Sequence, residues 1–192
     1  MGLPSPAPRR HLHTRSILCE GFLRDDGLYD IEARIVDTKT YEAEEPFRGL
    51  RPAGAHVHDM SLRLTLDTAM VVRDIAVSTE HAPYDPCFTV APAFRALVGT
   101  PIGAGWRKAV NAAVGGVKGC THLKELLMPV ATVAYQTMSG WPRPREGAVG
   151  LKPLAKTDAS PARPYFLDGC KAWDAGSEVT RRLYPLYYKP SR

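Results

Sequence analysis

Four residues of this 192-residue chain combine metal-ligating chemistry with positions at expected element boundaries: His56, His58, Cys87 and Cys120. His56 and His58 stand two apart in AGAHVHDM, where a strand is expected to begin. Side chains alternate along an extended chain, so such a pair points the same way. Cys87 lies in PYDPCF, after an expected hairpin, and Cys120 opens a long helical segment, where the helix dipole favours thiolate. Imidazole and thiolate side chains converging from separate elements suit Zn or Fe, although the chain holds neither a CxxC nor an HExxH signature.

Other reactive types read differently. His13 and Arg15 share a face of the first expected strand, suited to binding a carboxylate or phenolate, or to a strand-end salt bridge with Asp30 or Glu32. Cys19 and Cys170 read as buried apolar fillers, and Lys124 and Glu125 as the solvated face of a helix. Tyr135 and Gln136 stand where a pocket lining is one option.

The elements that must position these groups follow from periodicity. Residues 1–12 form a proline-rich tail expected to be flexible, and 13–192 a single domain. RSILCEGFLRDDGLYDIEARIVDTKTY predicts two strands turning at Asp25, Asp26 and Gly27, with Ile31, Ala33 and Ile35 on the buried face. Residues 41–55 have no period and read as a loop. Met60, Leu62, Leu64 and Leu66 then alternate, and VVRDIAVS follows across a turn at Asp67, Thr68 and Ala69.

From Ala91 the pattern turns helical. Short helices are expected near 91–99 and 105–116, then a longer one over 120–138, with Leu123, Leu126, Leu127, Val130, Ala131 and Ala134 on one stripe and Cys120 or Thr121 as N-cap. Pro129 is expected to kink it. Residues 141–164 hold five prolines and read as a surface excursion, and a last short helix is expected around 170–183. Strands first and helices after predict α+β: an antiparallel sheet from two hairpins with helices packed on one face.

Composition narrows the function classes. Twenty-five basic residues against twenty acidic ones give a net charge of +5, without a basic stripe carrying interleaved aromatics, so nucleic acid is not the expected partner. No run of eighteen apolar residues exists, and the N-terminus lacks a signal-peptide core; a cytoplasmic protein is expected, with no membrane partner, free thiols, and homo-oligomer formation left open.

The order HVHDMSLRLTL, hairpin, cysteine, helix, GCTHLKELL resembles the core of NifU/IscU-type iron–sulfur scaffold proteins over residues 54–138. The resemblance places His56 at that family's first cysteine, His58 at its aspartate, and Cys87 and Cys120 at its second and last cysteines. Gly119 replaces its histidine, with His122 nearby. Two imidazoles and two thiols suit a mononuclear Zn or Fe better than a cluster.

Nearly the whole chain is also similar to a bacterial domain of unknown function with the motifs HTRSI, DG.YDIEA.I.DTK.Y, H.M.LR, GCTHL.ELL and DGC. That resemblance implies catabolism of plant-derived aromatics, and a carbon–carbon lyase releasing formaldehyde from lignin-derived aromatic dimers. Such chemistry takes a base, for which His58 or His122 would serve, and a group to stabilise a departing phenolate, either Arg15 or a metal. The alternative implied function is a metal or iron–sulfur carrier, and a non-catalytic binding protein is the third class.

Overall fold

The computed structural model describes residues 2–139, 163–164 and 166–190. The chain divides into two compact units, Met1–Ser139 and Gly140–Arg192. The expected excursion over 141–164 lies outside the described residues, apart from Arg163 and Pro164. Residues 2–12 are exposed and outside any helix or strand. Among the described residues, no helix is long and apolar enough to cross a membrane.

The first unit is an antiparallel sheet of four strands carrying helices, so the α+β expectation holds. Strands β1 (His13–Leu23), β2 (Tyr29–Lys39), β5 (His56–Leu66) and β6 (Val72–His81) lie side by side in that order. The β1–β2 turn uses Gly27 at φ 83°, the left-handed region that glycine adopts without a Cβ penalty. Two further strands, β3 (Ala43–Glu45) and β4 (Gly49–Arg51), form a small hairpin inside the segment expected to be a loop. At three residues each, they are too short to leave an alternation in the sequence.

One face of the sheet is apolar and covered. Tyr29, Ile31, Ala33 and Ile35 of β2 and Met60, Leu62, Leu64 and Leu66 of β5 are all buried, in register across the pair. On them sits α3 (Thr121–Met138), which contacts β1, β2 and β5 and buries Leu123, Leu126, Leu127, Val130 and Ala134. Its N-cap is Cys120, and the helix runs continuously through Pro129. Two shorter helices, α1 (Ala91–Phe94) and α2 (Trp106–Val114), complete the layer; Trp106 Nε1 donates to the Leu127 carbonyl at 2.9 Å, tying α2 to α3. The opposite face carries Glu32, Arg34, Ser61, Arg63 and Ser78, whose polar side chains need no cover.

In the second unit, α4 (Glu178–Leu183) is capped by the Ser177 hydroxyl, which accepts from Thr180 N at 3.1 Å. Phe166, Trp173 and Tyr184 pack ring against ring beside it, with centroids 4.7 to 5.7 Å apart.

Helix α3 can lie on the edge strand because Gly21 has no side chain. A Cβ there would collide with Oγ1, Cγ2 and Cβ of Thr137, whose hydroxyl is fixed by donating to the Val133 carbonyl at 2.8 Å. Gly21→Ala should therefore destabilise the protein by about 1–3 kcal/mol in urea unfolding. Adding Thr137→Ala should recover part of the loss; additive losses would show that the close approach is not the cause.

Candidate functional site

The apolar stripe of β2 continues in step through Tyr29, Ile31, Ala33 and Ile35, and its next residue on that face is Asp37. A carboxylate in register with a core stripe is costly unless it is hydrogen-bonded and paired. Its side chain is 3% exposed, and four donors meet it. Oδ1 accepts from His13 Nε2 at 2.9 Å and Arg15 Nε at 2.8 Å; Oδ2 accepts from Arg15 at 2.8 Å and His58 Nδ1 at 3.0 Å. A carboxylate offers about four lone-pair sites, so Asp37 is fully used. Arg15 is opposite Asp37 in the β1–β2 register, and His58 is opposite it in β2–β5.

The fourth contributor comes from α3. His122, beside the Cys120 cap, lays its ring over His58 with centroids 3.7 Å apart and planes 31° from parallel. Its Nε2 is 3.8 Å from Asp37 Oδ2. Arg15 reaches further, donating to Glu125 Oε2 at 2.7 Å and so linking β1 to α3. From the β3–β4 side, Glu45, held by buried Arg51 at 2.8 Å, bears electrostatically on His58.

The charge states follow from these neighbours. Burial pushes the Asp37 carboxyl up, but the hydrogen bonds from Arg15 and His13 outweigh it and hold Asp37 well below the usual carboxylate range. Burial lowers His58 below the ordinary histidine value against the opposing pull of Asp37. Burial also lowers His122, and His58 and Arg15 add to the effect. Both imidazoles are neutral at pH 7. Ionised Asp37 can only accept, so His58 carries its proton on Nδ1 and presents Nε2 as a lone pair.

The residues singled out from sequence divide into two groups. His58, His122, His13 and Arg15 meet at Asp37, whereas His56 does not. A β-bulge between the Asp37–His58 and Thr38–His56 pairs leaves Val57 unmatched and turns His56 to the polar face. There His56 Nδ1 lies 3.1 Å from Asp59, itself held by Arg34 at 2.6 and 2.7 Å, and its ring meets His81 with centroids 5.5 Å apart. Period two, which would aim His56 and His58 together, fails at that extra residue.

The thiols pack rather than converge on the imidazoles as a set. Cys120 is buried, with Sγ 3.8 Å from both Met60 Sδ and His122 Nδ1. Cys87 packs partly buried against the core, and burial, then Cys120, pushes its thiol up. The group of three His, Cys, Asp or Glu residues with ligand atoms within 4.8 Å of one another, among the described residues, is Asp37, His58 and His122. The expected His56, His58, Cys87 and Cys120 set is not gathered. Neither expected salt bridge of Arg15, to Asp30 or to Glu32, forms: Asp37 takes their place.

Because Asp37 titrates lower in the folded protein than unfolded, its ionic contribution to stability is complete above about pH 4 and is lost as pH falls toward the folded value. Asp37→Asn should cost about 3 kcal/mol at pH 7, because it removes the buried charge that accepts from Arg15, His13 and His58. The gap between variant and wild type should narrow steadily below pH 4 in urea titrations; a gap independent of pH would show that the carboxylate charge is not what holds the cluster.

No curated protein matches this chain, and no solved structure does. Residues 13–136, from the first residue of β1 to the last turn of α3, match the family described as protein of unknown function DUF2889. That stretch is well over half of the chain and contains the whole Asp37 cluster, and the chain belongs to this family.

Proposed function

We propose that the protein is a lyase acting on an aromatic small molecule, with His58 as its general base. The observation that carries this reading is the Asp37–His58 pair: a buried carboxylate fixes the tautomer and orientation of a neutral imidazole, as bases in acid–base enzymes require. The His58 side chain is 14% exposed and that of His122 24%, so both are reachable from solvent.

The step implied by the family resemblance, formaldehyde release from a lignin-derived aromatic dimer, then balances without a change of oxidation state supplied from outside. His58 Nε2 takes the hydroxyl proton of a CH2OH group. The O–H electron pair becomes the second C–O bond of formaldehyde, and the breaking carbon–carbon pair forms a C=C bond, expelling an aryloxide. The proton held by His58 returns to that aryloxide, directly or through His122 stacked beside it. Arg15 is engaged by Asp37 and Glu125, so it positions the base instead of binding the phenolate.

A second reading, Zn or Fe held by Asp37, His58 and His122, rests on the proximity of their ligand atoms. Against it, a cation at Asp37 would have to displace one of four donors, two of them from a guanidinium that repels it. An iron–sulfur or metal carrier with a NifU/IscU-like core would draw on Cys87 and Cys120, which lie against the core with only His122 within reach of Cys120 among the histidines.

Formaldehyde release from hydroxymethyl-bearing aryl dimers tests the lead reading. His58→Asn should lower turnover by about 100-fold or more with the thermal midpoint unchanged, while Cys87→Ser stays active. The wild-type kcat/KM should fall with pH through a value below the ordinary histidine pKa, since the base must be neutral. Full activity per folded molecule in His58→Asn would overturn the assignment; one equivalent of Zn or Fe in untagged protein, lost in His122→Asn, would favour the metal reading.

A further inference from the structure

We infer that the groove between α2, α3 and β1 is a binding subsite for an organic anion with a flat apolar body, such as an aryl carboxylate or phenolate. The inference rests on the lyase reading for the identity of the reacting end and supplies what that reading lacks, a place for the rest of the substrate. The groove is about 550 Å³, the size that small-molecule sites commonly have.

Its chemistry is two-sided. Ile17, Met128 and Pro129 supply an apolar surface, and Ile17 is a large hydrophobic left 41% exposed. Above that surface stand Arg107 of α2 and Lys124 of α3. Arg107 makes no ion pair among the described residues, and Lys124 makes only a 3.4 Å hydrogen bond to Asn111 Oδ1. The groove's carboxylate, Glu125, shares the Arg15 guanidinium with Asp37 and lies 2.7 Å from it. Two cations without an ion-pair partner against one shared carboxylate leave the groove net positive over an apolar floor, the complement of an aromatic anion.

Position joins the groove to the reacting groups. Glu125 lines it and is one hydrogen bond from Arg15, which is one hydrogen bond from Asp37, the residue that holds His58. A ligand whose anionic end meets Lys124 and Arg107 extends along Ile17 toward that cluster. Neither cation belongs to the Asp37 group, so changing them tests binding without touching the base.

The probes are 4-fluorobenzoate and its methyl ester, titrated into the full-length protein by 19F NMR. The benzoate should bind saturably and the neutral ester about five- to tenfold more weakly. Arg107→Ala and Lys124→Ala should each weaken benzoate by a similar factor and leave the ester unchanged, while His58→Asn leaves both unchanged. Equal binding of ester and acid, or benzoate affinity unmoved in both cation variants, overturns the subsite. Normal benzoate binding in a protein that releases no formaldehyde would instead remove the lyase reading and leave the subsite standing.

Discussion

The buried Asp37 carboxylate and its guanidinium partner organise one end of the first unit. On the sheet's apolar face, water cannot solvate Asp37, so the surrounding chain must supply every hydrogen bond. It does so from both neighbouring strands at once: His13 and Arg15 from β1, and His58 from β5. Arg15 then passes the constraint on to α3 through Glu125. The N-terminal turn of α3 is thereby held over the polar end of a sheet whose remaining length is hydrophobic. His122 stacks on His58 because Leu123, one residue on, is locked into that core. The site and the core are successive stretches of the same strands.

Much of the fold was legible because it rests on periodicity. The two long hairpins, the order of strands before helices and the α3 stripe all follow from alternation or from three- and four-residue spacing. The β3–β4 hairpin was not legible: strands of three residues with mixed burial carry no period. The last helix is shorter than expected, six residues ending at Leu183, because its Ser177 cap fixes where it begins.

The site was legible residue by residue but not as a set. His58, His122, Arg15 and His13 stand out by type, yet Asp37, which gathers them, reads as one acidic residue in DTK. Its signal was present: Tyr29, Ile31, Ala33 and Ile35 predict a buried fifth position, and a charge falls there. A charged residue in phase with a core stripe is either an error of register or a paired group. His56 is the converse case. Its spacing from His58 suggested one site, and the unmatched Val57 splits the two across the sheet, giving Asp59, Arg34, His56 and His81 a polar cluster of their own on the other face.

That division bears on what the covered cluster does. Asp59 on the polar face is also clasped by an arginine and touched by a histidine, so such a triad alone is no mark of function. The two clusters differ in burial and in what lies beyond them. His58 is shielded enough for burial to keep it neutral, stacked on a second neutral imidazole, and linked through Arg15 and Glu125 to a groove with unpaired cations. His56 is exposed beside a carboxylate that is already neutralised. A base needs a lone pair held in place at neutral pH and a substrate held near it. A groove also adjoins His56 and His81, but its imidazoles are exposed, whereas on the Asp37 face the fixed imidazole is shielded and stacked on a second one, which is why we propose the proton chemistry there.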